Sequence, residues 1–237
     1  MIGLLATAQF NERPVLNLEN EDKAFLNWGY FLGFNQYDFK FNYINDTRDV
    51  NGRFPNGEDN LVVPNIGFNV GLIGEMRINQ FLDLRFEPGL FFTQRNIAFR
   101  DPGFDIFPAN ERVNRQIVEA KSTYINFPLL LKVSTKRIGN WKPYLIGGAS
   151  AYLNLSSNED RLDDNSSGTF RTTKNGFNYE LGFGIDFYLE YFKFSPSIRG
   201  VFAITDELVP DNDPNSPWTS NLSGLRTRGI FVNFTFE

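Results

Sequence analysis

The side chains with the most chemical potential in this sequence are charges set at alternate positions of otherwise apolar runs. Arg85 and Glu87 stand two apart, Glu180 and Asp186 share the parity of one run, and Lys193 and Arg199 that of the next. Gathered in an enclosed space, such groups could relay protons, line an ion path or neutralise one another. Histidine and cysteine are both absent. That removes the imidazole base, the His-ligated zinc, the thiolate nucleophile and the disulfide framework. A hydrolase would have to run on carboxylates alone, and no Asp/Glu pair is marked out by spacing. The sequence holds no phosphate-binding loop or nucleophile elbow. The expectation is a non-enzymatic protein with no cofactor and no small-molecule substrate.

Other motifs are weaker. Asn158-Glu159-Asp160-Arg161-Leu162-Asp163-Asp164-Asn165 is the densest acidic cluster and could bind calcium. It lacks the glycine and terminal glutamate of an EF-hand, so a solvated acidic loop is the simpler reading. Asp211-Asn212-Asp213-Pro214 is weaker still. Asn45-Asp46-Thr47 and Asn221-Leu222-Ser223 match the glycosylation triplet, a pattern that often occurs by chance.

The elements that must position these groups are strands. Eight runs alternate apolar and non-apolar residues: 28–43, 65–77, 81–92, 123–133, 142–155, 177–187, 192–204 and 229–237. In the third, Leu82, Leu84, Phe86, Leu90 and Phe92 oppose Asp83, Arg85, Glu87, Thr93 and Arg95. In the sixth, Phe177, Tyr179, Leu181, Phe183, Ile185 and Phe187 oppose Asn178, Glu180, Gly182, Gly184 and Asp186. The last ends on Ile230, Val232, Phe234 and Phe236 in one parity, with a penultimate aromatic typical of outer-membrane barrels. The first run changes parity: Trp28, Tyr30, Leu32 and Phe34 are followed by Tyr37, Phe39, Phe41 and Tyr43. A β-bulge at Asn35-Gln36 would restore one oily face.

Connections alternate in length. Short ones fall near 79–80, 134–140 and 189–191; long ones, rich in Asn, Asp, Gly, Pro and Ser, cover 44–64, 97–122, 156–176 and 205–225. This is the pattern of an all-β, eight-stranded antiparallel up-and-down transmembrane β-barrel, with short periplasmic turns and four long extracellular loops. An even strand number puts both termini in the periplasm. A soluble lipocalin-like barrel would invert the faces. Large apolar side chains, many of them Phe, would then crowd its small lumen. With the polar face inside, Arg85, Glu87, Glu180, Asp186, Lys193 and Arg199 can pair as a structural network that plugs the lumen, and Gly67, Gly71, Gly89, Gly182 and Gly184 let it close tightly. A conducting pore is the alternative.

Composition agrees with lipid as one solvent. Aromatics are 16% of 237 residues, and the mean hydropathy of -0.31 fits strands with one polar face. No apolar run reaches the length of a membrane helix. The net charge of -5 argues against nucleic acid as a partner. Trp28 and Trp141 sit at the expected periplasmic strand ends, where interfacial aromatics belong; Trp218, in the last long loop, reads as a packing anchor. Ala6-Thr7-Ala8 fits a secretory cleavage site. The expected organisation is a signal-peptide remnant at 1–8, a periplasmic segment at 9–25 and the barrel at 26–237.

The stretch Trp28-Gly29-Tyr30-Phe31-Leu32-Gly33-Phe34-Asn35-Gln36-Tyr37-Asp38-Phe39 resembles the opening strand of the PorT family. Tyr124-Ile125-Asn126-Phe127-Pro128-Leu129-Leu130-Leu131-Lys132 and Lys142-Pro143-Tyr144-Leu145-Ile146-Gly147-Gly148 are similar to strands of the broader Bacteroidota outer-membrane barrel family. The PorT resemblance implies an accessory role in the type IX secretion system, which exports cargo across the cell outer membrane of Gram-negative bacteria and supports gliding motility. Implied partners are outer-membrane lipid and the proteins of a secretion complex, contacted through the wall, the long loops or the segment 10–23. Adhesion or envelope stability is the alternative role, with passive solute passage or a carboxylate-only hydrolase more remote.

Overall fold

A computed structural model describes residues 16–44, 61–99, 116–159, 170–212, 219 and 222–237. They form ten strand segments: β1 (Leu26–Tyr43), β2 (Leu61–Pro64), β3 (Ile66–Arg77), β4 (Leu82–Phe86), β5 (Gly89–Phe99), β6 (Gln116–Ser134), β7 (Trp141–Asn154), β8 (Asn175–Tyr188), β9 (Lys193–Ala203) and β10 (Leu222–Phe236). These make eight staves, because Asn65 merely interrupts β2–β3 and Glu87-Pro88 interrupts β4–β5. Proline has no N–H for the ladder. Even so, the register against β6 passes unbroken from Phe86↔Leu129 to Gly89↔Asn126.

Neighbouring staves are antiparallel, and β1 pairs with both β3 and β10. The ring is closed, as the eight alternating runs predict. Three short connections mark one end of the barrel, the turn end; the long connections mark the other, the loop end. Outward residues such as Phe34, Leu72, Leu145, Leu181 and Ile230 form a continuous exposed apolar wall. From Phe177 to Phe187 this wall measures about 33 Å along the strand and about 25 Å in height at the usual tilt.

The expected β-bulge at Asn35-Gln36 does not exist. Against β10 the ladder keeps one register from Tyr30↔Phe236 to Asn42↔Gly224 and shifts only between Asn42 and Tyr43. Tyr37, Phe39 and Phe41 are buried in the interior, in line with Phe31, while Gln36, Asp38 and Lys40 lie outside. What changes at this point is the solvent of the outer face, not the side to which the chain turns. An extra residue sits in another stave: 65–67 lie opposite 93–94, between the pairs Pro64↔Arg95 and Phe68↔Phe92. Two long connections are also shorter than expected, since β5 continues to Phe99, β6 starts at Gln116 and β10 at Leu222. Their outer faces carry Glu119, Lys121, Arg226 and Arg228, so they read as solvated loop although the ladder persists.

The interior is packed by side chains. The ring of Phe31 lies against Gly71 and Gly89, which face each other across β3 and β5. Asn69 Nδ2 donates to Asn233 Oδ1 at 2.7 Å, reaching from β3 to β10 over Gly33 of β1. A Cβ on Gly33 would stand 2.3 Å from that oxygen and 2.6 Å from the Val232 carbonyl. Gly33→Val therefore loses a buried hydrogen bond and overpacks the seam, for an expected loss of about 2 kcal/mol or more. Urea unfolding followed by the heat-modified shift in gel mobility measures it.

Candidate functional site: a charged layer beneath an aromatic one

Strand alternation aims Glu75 (β3), Arg85 (β4), Lys132 (β6), Glu180 and Asp186 (β8), and Lys193 and Arg199 (β9) into the turn-end half of the lumen. Glu87, between β4 and β5, and Glu237, just past β10, join them; all nine side chains are buried. Arg85 Nε lies 3.1 Å from Glu87 and 3.4 Å from Glu75, and its Nη2 donates to Glu237 at 2.6 Å. Lys132 Nζ lies 2.8 Å from Asp186 and 3.1 Å from Glu75. Lys193 contacts Glu75 at 3.2 Å and also Glu237. Arg199 reaches Glu87 at 2.6 Å and Glu180 at 3.3 Å. Ser195 Oγ donates to Asp186 at 2.6 Å.

The structure thus brings together Arg85, Glu87, Glu180, Asp186, Lys193 and Arg199. It adds Glu75, Lys132 and Glu237, which the sequence reading left out of the network. Parity carries the missing signal for Glu75 and Lys132: each lies on the inward phase of its strand, opposite Leu131 and Val133 in the case of Lys132. Every ion loses several kcal/mol of hydration in such a place, which only multiple partners can offset. Glu75 has three cationic partners and Arg85 three anionic ones.

Toward the loop end the interior turns aromatic, contrary to an expectation that put the apolar face uniformly outward. Phe31, Tyr37, Phe91, Tyr124, Tyr152 and Phe231 form one buried cluster, with Phe91–Phe231 centroids 5.0 Å apart and Tyr37–Phe231 5.2 Å apart. Above it, Phe39, Phe41, Ile97, Phe170, Leu222 and Leu225 form another. Arg95 is held between them, its Cζ 3.8 Å from the centre of the Phe39 ring. Its Nη2 donates to the Tyr124 hydroxyl at 2.5 Å and its Nη1 to Thr227 Oγ1 at 3.2 Å. Thr227 in turn donates to Glu207 at 2.6 Å. Glu207 belongs to the connection after β9, which is tied to the preceding long connection by the bridge Thr172↔Leu208 and by Arg171–Asp211 at 3.0 Å.

Among the described residues two interior voids are water-sized: about 10 Å³ beside Tyr37, Tyr152 and Glu207, and about 20 Å³ beside Glu75, Asp83 and Lys142. At the turn end, residues 17–22 lie against the mouth. Arg137 stacks on Tyr188 at 3.8 Å and donates to the carbonyls of Asn17 and Leu18. Asp22 accepts from the Tyr188 hydroxyl at 2.6 Å and from Lys142 at 3.3 Å. Trp28 and Trp141 project from the outer wall at this same end, 70% and 42% exposed.

Several sequence candidates fall outside the described residues: the leader at 1–8, the triplet at 45–47, residues 160–165 of the acidic loop, Asp213-Pro214, Trp218 and Asn221. Of the acidic loop, Glu159 caps the backbone N–H of Lys174 at 2.6 Å. Among the described residues no three His, Cys, Asp or Glu side chains are grouped as a metal site.

Two outcomes follow from these layers. Glu75→Ala takes one carboxylate partner from three buried cations and is expected to cost about 3 kcal/mol, whereas Lys121→Ala, in the exposed pair with Glu119, costs below about 0.5 kcal/mol; chemical unfolding compares them. Burial pushes the Glu207 carboxyl above the usual glutamate range, against the pull of Thr227, Arg95 and Tyr152. The native state then holds this proton more firmly than the unfolded chain. The associated stability is full below the ordinary glutamate range and is lost as pH rises through the raised native value. Thermal unfolding across mild acid to neutral pH should show this decline in the parent protein and a flatter profile in Glu207→Gln.

Among solved structures the chain is similar to the outer membrane protein OprG from Pseudomonas aeruginosa, at 12% identity, covering 89% of this chain and 93% of that one with a TM-score of 0.46. Neisserial surface protein A matches at 10% identity over 89% and 97% of the two chains, TM-score 0.43. Ail, the attachment invasion locus protein of Yersinia pestis, crystallised with the heparin analogue sucrose octasulfate, matches at 11% over 88% and 96%, TM-score 0.37. No curated protein sequence matches significantly. The family described as outer membrane protein beta-barrel domain matches residues 7–209. With that match, a closed eight-stave ring and an apolar outer wall, the chain belongs to the outer-membrane β-barrel domain family of Gram-negative bacteria.

Proposed function

We propose that this protein is a non-enzymatic, sealed barrel acting as an accessory component of type IX protein secretion, where it supports the assembly or stability of a larger translocon. The observation that carries the first half is the filled lumen. Charged groups occupy its turn-end half, aromatic rings its loop-end half, and residues 17–22 lie across one mouth. Cargo cannot pass such an interior, so the work falls to the outer surfaces. The second half is supported by the PorT-like run from Trp28 to Phe39, which occupies the stave where the ring closes.

In this reading the turn end and both chain ends are periplasmic and the long connections extracellular. Residues 1–8 are the end of a leader, 9–25 a periplasmic segment and 26–237 the barrel. Trp28 and Trp141 anchor the periplasmic interface, and the six-residue lumen network is structural. No nucleic acid or small-molecule substrate has a place in it. A second reading, surface adhesion or envelope stability, draws support from the staves that outgrow the apolar band. There Asp38 and Arg228 pair at 2.6 Å on the outer wall of β1 and β10, a firm polar platform for loops.

Deletion of the gene in the source bacterium separates the two. Type IX cargo is expected to accumulate in the periplasm, and unchanged secretion with altered surface binding would favour the second reading. Planar-bilayer recordings of the purified protein should show no stable large openings; steady open channels would rule out a sealed barrel under either.

A further inference from the structure

The rim of the turn end carries a recess whose lining is predominantly cationic. It encloses about 180 Å³ between the connection after β3 and the connection after β6, and Arg77, Phe81, Lys136, Arg137, Lys142 and Asp22 line it. Asp83, the cross-strand neighbour of Arg77, stands just inside beside Lys142, and within the recess itself four cations share the single carboxylate of Asp22. That carboxylate is already engaged, accepting from Tyr188 at 2.6 Å and Lys142 at 3.3 Å, with Arg137 at 3.7 Å. Arg137 is further held by the Tyr188 ring and by backbone carbonyls. Arg77 and Lys136 form no ion pair among the described residues; Arg77 Nε has only the Asn79 carbonyl, at 3.4 Å. Like charges so placed repel, and an anion entering the recess would relieve them while gaining charge-assisted hydrogen bonds.

The surroundings say what else the ligand must be. Phe81 forms part of the lining, and Ile78, Val133 and Ile138 are exposed on the same two connections and the strand between them. The recess therefore stands at the foot of the lipid-facing wall, where one molecule can offer an anionic head and apolar tails together. We infer that this recess binds the phosphate of a phospholipid headgroup from the leaflet at the turn end, with Arg77 and Lys136 as the principal phosphate ligands. The choice of a phospholipid leaflet rests on the periplasmic orientation proposed above; the phosphate chemistry does not. Among the described residues the loop end offers no equivalent. Lys40 and Arg226 are cross-strand neighbours there, but they stand on the open outer wall without an enclosing recess.

The test uses the folded protein in maltoside micelles, titrated with dihexanoyl phosphatidylglycerol and read by the thermal midpoint of the gel-mobility shift. A saturable rise in midpoint is expected, while dihexanoylglycerol and inorganic phosphate at the same concentrations leave it unchanged. Arg77→Gln with Lys136→Gln should weaken the apparent affinity about tenfold or more, and Lys136→Arg should retain it. Lys136→Gln alone, at an exposed side chain, covers the case in which the double variant does not fold. An equal response to dihexanoylglycerol would mean apolar partitioning, and an equal response to inorganic phosphate would mean a free-anion site; either overturns the lipid assignment. So would undiminished affinity in the glutamine variants. Binding is read without any secretion apparatus, so its failure and a failure of the secretion proposal are separate results.

Discussion

Inside a bilayer no water reaches the backbone, so every ladder hydrogen bond of a spanning strand must be made within the protein. In this chain that condition is met at β1. It pairs with β3 from Leu26 to Gln36 and with β10 from Tyr30 to Asn42, joining the first stave to the last. Closure removes the sheet edges, and only then can the two faces diverge. One face is free to become a wall of Phe, Leu and Ile, and the other can hold nine ionisable side chains out of lipid. The Asn69–Asn233 bond crosses this seam, and it exists because residue 33 has no Cβ.

The ionised layer braces the ring from within. Glu75 on β3 holds cations delivered by β4, β6 and β9, so its partners come from around the circumference rather than from one neighbour. Buried ion pairs are weak contributors to net stability, because desolvation consumes most of their attraction. Their stronger effect is on register. A slip of one residue in any of these staves would turn its charges toward lipid and leave those of the others unmatched. The layer therefore specifies how eight similar, Phe-rich strands align, a choice that apolar side chains facing a fluid solvent cannot make.

Much of this was legible from alternation alone: the eight staves, the inward phase of Arg85 through Arg199, the alternation of short and long connections. Parity says which residues share a face, and it said so correctly even where it was overruled. Tyr37, Phe39 and Phe41 are in phase with Phe31, as a straight strand requires; the error lay in assuming that apolar must mean outward along the whole length. The ends of β5, β6 and β10 were missed for the same reason. Glu119, Lys121, Arg226 and Arg228 look like loop because polar residues fill the outer face, yet hydrogen bonding continues beyond the oily band. The placement of residues 17–22 against the turn-end mouth had no periodic signal, since it depends on Arg137, Tyr188 and Lys142, more than a hundred residues away.

The departures along the staves share one cause, the height of the barrel relative to its apolar band. A membrane barrel and a water-soluble one obey opposite rules, polar inside against apolar inside, and this chain obeys both in sequence along the same staves. Up to Phe34 and Ile230 the outer face is apolar, and the interior passes from the charged layer to the rings of Phe31, Phe91 and Phe231. Past them the outer face carries Asp38, Lys40, Arg226 and Arg228, and the interior holds Phe39, Phe41, Ile97 and Leu225. The upper section thus has the section plan of a soluble barrel, with its own oily core and the cap formed by Phe170 and Glu207. Its core is made by the protein itself, as in a water-soluble barrel. A packed lumen below and a section with its own core above leave three surfaces open to partners: that upper section, the apolar wall and the cationic rim at the opposite end.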